Sequence, residues 1–314
     1  MAYVLDRLAA GFIGIGAMGR PMAARVAQAG FPLTLLDQDP ALAQEAAEAS
    51  GAAIAATPAE LARSADLIVT MLPTSAVVAA VLGGLDGVLA GLRPGAIIID
   101  MSSGEPAATR MLAEQAAAAG GMLIDAPVSG GVARARTGDL AIMAGGEPDA
   151  VARAEPLLHC MGSSLVRTGG VGTAHAMKAL NNLVSAGGFL LGIEALLIGQ
   201  RAGLDAGMMV DVLNASTGMS NSSQKKFKQF VLSRRFDAGF GLDLMVKDLG
   251  IAMGVARDSR TPAPVSALVR EMWAAAQAML GPGKDHTAAA LLLERLAGTE
   301  LRLDHPPGGQ SDGP

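Results

Sequence analysis

The chain has little charge, few aromatic residues and a single cysteine. Of its 314 residues, 17% are charged and 3% aromatic, with 24 Lys and Arg against 29 Asp and Glu. This acidic balance and the shortage of rings argue against a surface that binds nucleic acid, so we expect no nucleic-acid partner. Cys160 has no second cysteine to pair with, so no oxidising compartment is required and we expect a cytoplasmic protein.

Signals for membranes and metals are also missing. The N-terminus has no basic region before its apolar stretch, which argues against a signal peptide. The long uncharged stretch 67–85 is interrupted by Pro73, so we predict no membrane span. The four histidines and the cysteine are scattered without ligand spacing, so we predict no metal site and disfavour a zinc-dependent alcohol oxidation.

The order of the periodic segments predicts an α/β protein with an N-terminal doubly wound Rossmann domain followed by an all-α domain. Short β-rich runs alternate with helical patterns up to Arg167, and only helical patterns follow. We therefore predict a doubly wound domain at 1–169, an all-α domain at 170–297, and a flexible tail at 298–314. The predicted strands are 12–15, 33–37, 67–72, 96–100, 122–125, 140–143 and 164–167. The predicted helices are 18–29, 41–48, 77–82, 107–119, 148–158, 173–201, 207–215, 223–232, 243–256, 264–279 and 288–297.

A glycine-rich motif follows the first predicted strand and begins the first predicted helix. Its residues are Gly14, Ile15, Gly16, Ala17, Met18 and Gly19. The first glycine allows a tight turn, the second allows the backbone to approach a pyrophosphate, and the third allows the helix to pack on the strand. Because the helix N-terminus also attracts phosphate, this context predicts a dinucleotide site.

An acidic residue, Asp37, ends the second predicted strand, about 20 residues after the motif. Its carboxylate accepts hydrogen bonds from ribose hydroxyls but repels a 2′-phosphate, and no arginine follows it in the sequence Asp37-Gln38-Asp39. The sequence therefore favours NAD over NADP. A role for Asp37 as the cap of the next helix is the alternative.

Three further segments follow strands of the predicted sheet. Leu72 and Pro73 end one strand, and the hydroxyls of 100–104 follow another, where they either cap the next helix or contact a ligand. A plain turn explains either segment about as well. In the third segment, paired glycines after Ser129 expose consecutive N–H groups, and such a nest binds a carboxylate.

Lys178 and Asn182 share one face of the first helix of the second half. The helix around them is apolar, and desolvation of an ammonium lowers its pKa toward the range in which it exchanges a proton with an alcohol. A surface lysine beside a satisfied core amide is an equally good interpretation. His175, one turn earlier, is either a second titrating group or a structural residue. The lysine-rich run 225–228 reads as a solvated helix face.

Four segments, taken in order, resemble the β-hydroxyacid dehydrogenase family: 11–19, 125–131, 172–182 and 247–249. The resemblance covers about 11–297. It implies that 1–169 is an NAD-binding Rossmann domain, joined by a long helix to an all-α substrate and oligomerisation domain at 170–297 that assembles into homodimers or homotetramers. It also implies hydride transfer between NAD and a short 3-hydroxy acid similar to 3-hydroxyisobutyrate.

The same resemblance implies roles for individual residues. Lys178 is the expected general acid/base and Asn182 its positioning partner. Expected cofactor contacts are Leu72, Pro73, Ser103, Phe240 and Lys247, besides the glycine motif and Asp37. Expected substrate contacts are Ser129, Gly130, Gly131 and Asp248, besides Lys178 and Asn182.

The substrate is left open by these residues. Arg25 and Ala174 stand where the family usually has Asn and Gly, and the loop 216–221, which is expected to border the far end of the substrate, lacks the tryptophan of some members.

A tartronate semialdehyde or glyoxylate-type reductase and a threonate dehydrogenase are alternatives. Oxidative decarboxylation, as in 6-phosphogluconate dehydrogenase, is disfavoured because Ser185 replaces the acidic helper seven residues after the lysine. A non-catalytic NAD-binding scaffold is the alternative from another class. The helical spacing of Met208, Met209, Leu213 and Met245 suggests burial against a partner chain, and burial in the core of a single chain is the alternative.

Overall fold

The structure is a computed structural model that describes residues 8–303, and the chain forms two compact units that divide after Lys178. The strands are β1 Ala10–Ile13, β2 Leu33–Leu36, β3 Ala53–Ile54, β4 Leu67–Thr70, β5 Ile97–Asp100, β6 Met122–Asp125, β7 Val128–Ser129, β8 Leu140–Gly145 and β9 Gly162–Gly169. The helices of the first unit are α1 Gly19–Gln28, α2 Pro40–Ser50, α3 Pro58–Ser64, α4 Ser75–Gly83, α5 Val88–Gly91, α6 Pro106–Ala118, α7 Gly131–Thr137 and α8 Pro148–Met161. The later helices are α9 Thr173–Arg201, α10 Ala206–Ala215, α11 Asn221–Lys225, α12 Leu242–Asp258, α13 Pro264–Leu280 and α14 Ala290–Ala297.

The strands of the first unit form one sheet in the order β3-β2-β1-β4-β5-β6-β8-β7, with β9 paired to β8. The six strands from β3 to β6 in that order are parallel, and β8 runs antiparallel to β6 and β7. The carboxyl ends of β1, β2, β4, β5 and β6 therefore meet at one edge of the sheet. This arrangement confirms the predicted doubly wound α/β class.

Helices cover both faces of this sheet. Phe12, Leu35 and Ile99 belong to one buried cluster, and Ile68 and Ile98 belong to a second on the opposite face. Burial on both faces explains why β4 and β5 read as continuous apolar runs rather than alternating ones. Each predicted strand is present, whereas β3 and β7 were missed because two residues carry no periodic signal.

The second unit is helical and contains most of the few aromatic side chains. The ring of Phe189 on α9 lies 5.7 Å from that of Phe227 and 5.6 Å from that of Trp273. The predicted helix 223–232 is wrong in one respect, because it is split into α11 and a π-helical segment, Phe227–Leu232. Phe227 packs closely on Gly192 of α9: a Cβ added to Gly192 would lie 2.5 Å from the Phe227 ring.

The C-terminal end of the described chain packs on the second unit. Leu301 is fully buried, and its N–H donates to Glu294 Oε1 at 2.9 Å while Arg234 donates to its carbonyl oxygen at 3.1 Å. The start of the predicted tail, 298–303, is thus held in place, and 304–314 lie outside the described residues. The division into units after Lys178 also falls inside α9, a few residues beyond the predicted boundary at 169.

The residues predicted to face a partner chain are mostly internal. Met245 is buried in the core of the second unit, and Met209 and Leu213 pack against that core. Of the four, only Met208 is exposed. Their helical spacing reflects burial within the chain, which the sequence pattern does not distinguish from burial against a partner.

Candidate active site

The glycine motif forms the turn between β1 and α1. Gly14 has φ +98°, and a Cβ there would lie 2.4 Å from the carbonyl oxygen of Met71. A Cβ at Gly19 would lie 1.8 Å from the carbonyl oxygen of Gly14, so this glycine lets α1 pack on the turn. Gly16 is exposed with nothing within 4 Å of a Cβ position, and Ala17 beside it is also exposed. The loop therefore presents bare backbone at the start of a helix that no side chain caps.

An open cavity of about 540 Å³ lies along this loop. It is lined by Gly16 and Ala17 together with two cations, Arg20 of α1 and Arg136 of α7. Arg20 also pairs with Glu45. A pyrophosphate carries negative charge, so backbone N–H groups, a helix N-terminus and two arginines fit it. Neither arginine was predicted. Arg20 follows the motif directly in sequence, whereas nothing in the sequence links Arg136 to it.

Asp37 directly follows β2, and its carboxylate is turned toward the glycine motif. Its Oδ2 accepts the N–H of Ile15 at 2.6 Å, and its Oδ1 accepts the N–H of Asp39 at 2.9 Å. The cap of α2 is Asp39, whose Oδ1 accepts the N–H of Ala41 at 2.9 Å. The alternative that Asp37 caps this helix is therefore wrong, and its position beside the loop suits a ribose.

The loops after β4 and β5 are joined by hydrogen bonds. The N–H of Leu72 donates to Ser102 Oγ at 3.0 Å, and the N–H of Glu105 donates to Ser75 Oγ at 2.8 Å. Ser102 is fully buried and holds the loops together, whereas Ser103 is half-buried and Pro73 is exposed. Leu72, Pro73 and Ser103 thus lie at the same sheet edge as the glycine motif.

The predicted carboxylate nest lies between β7 and α7. Gly130 and Gly131 are exposed and have φ +138° and +68°, and α7 starts at Gly131 without a side-chain cap. Ser129 is half-buried and pairs with Ala141 of β8. Positive φ at both glycines forms a turn directly before an uncapped helix N-terminus, and the predicted binding of a carboxylate at this turn stays a prediction.

One buried carboxylate fixes the start of α9. Asp125, at the end of β6, is fully buried; its Oδ1 accepts the N–H of Gly172 at 2.7 Å and its Oδ2 accepts the N–H of His175 at 2.8 Å. A negative charge at a helix N-terminus is also favoured by the helix dipole. The sequence does not predict this role of Asp125, because its partners lie 47 and 50 residues away in the chain.

His175 is a structural junction. Its ring is buried; Nδ1 shares a hydrogen bond with Thr109 Oγ1 at 2.7 Å, and Nε2 donates to the carbonyl oxygen of Ser102 at 3.0 Å. Asp100 Oδ2 lies 3.9 Å from Nε2. Both ring nitrogens are therefore engaged by the first unit, which favours the structural interpretation over a second titrating group at the substrate.

Lys178 follows one turn later on α9 and is buried, with 8% of its surface exposed. The helix carries Asn182 on the same face, also buried. A lysine that is this well buried is not the snorkelling surface residue of the alternative interpretation.

Asn182 belongs to a polar group in the second unit. Its Nδ2 donates to Asp248 Oδ2 at 2.6 Å. Asp248 is 2% exposed, and its Oδ1 accepts no hydrogen bond from the described residues, although Lys247 Nζ lies 3.6 Å away. A buried carboxylate oxygen in this position is suited to accept a hydrogen bond from a ligand.

Phe240 is held by Asp285 rather than by this polar group. Its N–H donates to Asp285 Oδ2 at 3.1 Å, its carbonyl oxygen accepts the N–H of His286 at 2.8 Å, and its ring meets the His286 ring edge-on at 5.7 Å. The predicted contact of Phe240 with a cofactor stays a prediction. Among residues 8–303, no group of three or more His, Cys, Asp or Glu residues is placed to hold a metal ion.

Two family models together cover most of the chain. Residues 9–170 match the model of the NAD-binding domain of 6-phosphogluconate dehydrogenase. Residues 172–293 match the model described as NAD-binding of NADP-dependent 3-hydroxyisobutyrate dehydrogenase.

Named relatives and a solved structure agree with these models. The chain is 39% identical to the mitochondrial 3-hydroxyisobutyrate dehydrogenase of Mus musculus, over 84% of this chain and 80% of that protein. It is 36% identical to the 3-sulfolactaldehyde reductase of Escherichia coli, over 89% of this chain and 93% of that protein. The structure of Mycobacterium tuberculosis 3-hydroxyisobutyrate dehydrogenase with L-serine matches with a TM-score of 0.83 and 31% identity, covering 91% of this chain and 99% of that one.

The glycine loop yields a matched pair of variants. Gly19→Ala is expected to lower the free energy of unfolding by at least about 2 kcal/mol, because its methyl group overlaps the Gly14 carbonyl oxygen. Gly16→Ala is expected to leave stability within about 0.5 kcal/mol of the wild type, because its methyl group meets no atom. The same methyl group would obstruct the pyrophosphate, so NAD binding is expected to weaken several-fold.

Urea unfolding and calorimetric titration with NAD measure the two effects. Unchanged NAD affinity in Gly16→Ala would show that the loop does not cradle the cofactor.

Proposed function

The chain belongs to the β-hydroxyacid dehydrogenase family, and we propose that it transfers a hydride between a short 3-hydroxy acid and NAD with Lys178 as the general acid/base. One observation carries this proposal. Lys178 is a buried lysine one turn after His175, and Asp125 ties that turn to the sheet edge that carries the glycine loop. The helix turn before Lys178 and the glycine loop are thus attached to the same edge of the sheet.

The residues at the sheet edge fit NAD. Gly14, Gly16 and Gly19 shape the loop for the pyrophosphate, Arg20 and Arg136 supply positive charge, and Asp37 suits the ribose hydroxyls of NAD rather than a 2′-phosphate. NAD supplies a hydride acceptor when it is bound. The remaining steps belong to side chains of this chain.

Lys178 is proposed to take the hydroxyl proton of the acid as the carbonyl group forms, and to return it in the reverse direction. The substrate carboxylate is proposed to bind at Ser129, Gly130 and Gly131, where the two exposed glycines offer backbone N–H groups that orient it. Asn182, anchored to Asp248 at 2.6 Å, positions the hydroxyl group on the same helix face as Lys178.

The proposed substrate is a short carboxylate-bearing 3-hydroxy acid or semialdehyde similar to 3-hydroxyisobutyrate. Support comes from the mouse and mycobacterial dehydrogenases named for that acid and from the exposed turn at Gly130 and Gly131, whose φ angles are positive. We also propose a cytoplasmic location, supported by the single, unpaired Cys160.

Replacement of Lys178 tests the proposed chemistry. Lys178→Met removes the proton acceptor and is expected to lower kcat about 10³-fold. Lys178→Arg is expected to be nearly as slow, because a guanidinium keeps the charge but does not release its proton. The control Lys225→Met changes an exposed lysine and is expected to retain wild-type turnover.

The measurement is NADH absorbance with NAD and 3-hydroxyisobutyrate, together with calorimetric NAD binding to each variant. Turnover of Lys178→Met within threefold of the wild type would refute the acid/base assignment. Intact NAD binding without turnover of any hydroxy acid by the wild type would favour the scaffold alternative.

We further propose that α9 mediates homodimer or homotetramer assembly. Val184, Leu191 and Ile198 recur every seven residues along one face of α9 and are 76%, 68% and 70% exposed. Helix α9 has the length and hydropathy of a membrane span, but Phe189 and Ile193 on its other face are buried in the core of the second unit. An exposed apolar stripe on a helix packed in this way suits the same stripe of a second copy.

Light scattering coupled to size exclusion tests this assembly. The wild type is expected to have the mass of a dimer or tetramer, and Leu191→Glu with Ile198→Glu is expected to reduce it to that of a monomer. Leu85→Glu, at a residue that is 96% exposed in the first unit, is the control and is expected to leave the mass unchanged. A monomeric wild type at micromolar concentration would contradict the proposal.

A further inference from the structure

A second lysine lies close to the polar face of α9 in the second unit. Lys226, between α11 and the π-helical segment, donates from Nζ to Ser185 Oγ at 3.4 Å. Ser185 follows Asn182 by three residues, about 4.5 Å along the helix axis. At about 100° per residue, Lys178, Asn182 and Ser185 fall within about 60° of one another around α9. Lys226 therefore contacts the same face of α9 that carries Lys178 and Asn182, one turn beyond Asn182.

The surroundings of Lys226 differ from those of its neighbours. The sequence pattern predicts a solvated helix face at 225–228, but Lys226 is half-buried. Lys225 is exposed, and Lys228 pairs with Asp211 at 2.5 Å. In residues 8–303, no carboxylate lies within ion-pair distance of Lys226.

The acidic group that acts on Lys226 is already satisfied by other donors. Asp285 accepts the N–H groups of Gly239 at 2.8 Å and of Thr287 at 2.8 Å, as well as that of Phe240. Burial lowers the pKa of Lys226, and the charge of Asp285 only partly opposes this effect. A half-buried ammonium whose one hydrogen-bond partner within the described part of the chain is a neutral hydroxyl is costly to maintain and is suited to receive an anion.

We propose that Lys226 and Ser185 bind a second acidic group of the substrate, at the end opposite the reacting hydroxyl. The ammonium has two further N–H groups to donate, and Ser185 accepts from Lys226 with its oxygen and so keeps its own hydrogen for an anion oxygen. The substrate class is then a short acyclic hydroxy acid with a second carboxylate, sulfonate or phosphate. This inference rests on the proposed function and narrows its substrate.

The test compares substrates that share the reacting hydroxymethyl group. They are 3-hydroxyisobutyrate, 2-(hydroxymethyl)glutarate, and the amide of the latter at its far carboxyl group, which keeps the size and removes the charge. The wild type is expected to prefer the dicarboxylate to its amide by about 10- to 100-fold in kcat/KM, as for loss of a charged hydrogen bond.

Variants of Lys226 and Ser185 test whether the preference for the dicarboxylate over its amide comes from Lys226. Lys226→Gln is expected to abolish the preference and to leave kcat/KM for 3-hydroxyisobutyrate within about twofold, whereas Lys226→Arg retains most of the preference. Ser185→Ala is expected to weaken it in part. Lys225→Gln is the matched control on the exposed neighbour and is expected to behave as the wild type. Thermal unfolding checks that each variant is folded.

The outcomes separate this inference from the proposed function. Turnover of 3-hydroxyisobutyrate without discrimination between dicarboxylate and amide, or equal loss on all substrates in folded Lys226→Gln, overturns the role of Lys226 alone. If no hydroxy acid is turned over, the proposed function fails, and calorimetric titration of the NADH complex with 2-(hydroxymethyl)glutarate still decides the binding site. Equal affinity in the wild type and Lys226→Gln, or no binding to either, would overturn the site.

Discussion

One buried carboxylate accepts hydrogen bonds from two backbone N–H groups at the start of α9, and the placement of Lys178 depends on these bonds. Asp125 accepts from Gly172 and His175 at 2.7 and 2.8 Å, which fixes the first turn of the helix against the carboxyl end of β6. The His175 ring adds a hydrogen bond to the carbonyl oxygen of Ser102, in the loop after β5. Because the contact is fully buried, its loss leaves polar groups unsatisfied, and the lysine one turn later loses its fixed distance from the cofactor loop.

The parts of this site that the sequence predicts are those set by short-range geometry. The glycine motif is recognisable because a strand, a tight turn and a helix follow one another within a few residues, and Gly14 and Gly19 occupy positions where a Cβ does not fit. Lys178 and Asn182 are recognisable together because helix geometry places residues four apart on one face. The doubly wound class follows from strand and helix alternation along the first 169 residues, and the structure confirms it.

The remaining parts depend on contacts between distant segments. Asp125 and His175 are 50 residues apart in the chain and contact each other in the fold. Arg136 lines the cavity beside the glycine loop from α7, a helix that the sequence pattern does not predict. Lys226 reads as one of several solvated lysines until the π-helical segment places it against Ser185, 41 residues away. Periodicity reports which face of a helix is apolar, but it does not report which other element covers that face. For the same reason the sequence leaves open whether Met245 faces a partner chain or a core within the chain, and the structure places it in the core.

A double-mutant cycle on kcat/KM tests most directly whether Asp125 acts through Lys178. Asp125→Asn replaces one acceptor oxygen by an N–H₂ group facing a buried N–H, and we expect turnover to fall by about 10- to 100-fold in a folded variant. In the Lys178→Met background, Asp125→Asn is expected to cause no further loss of kcat/KM, because the ammonium that Asp125 positions is already absent. Multiplication of the two losses in the double variant would contradict the account, since Asp125 would then contribute independently of the lysine.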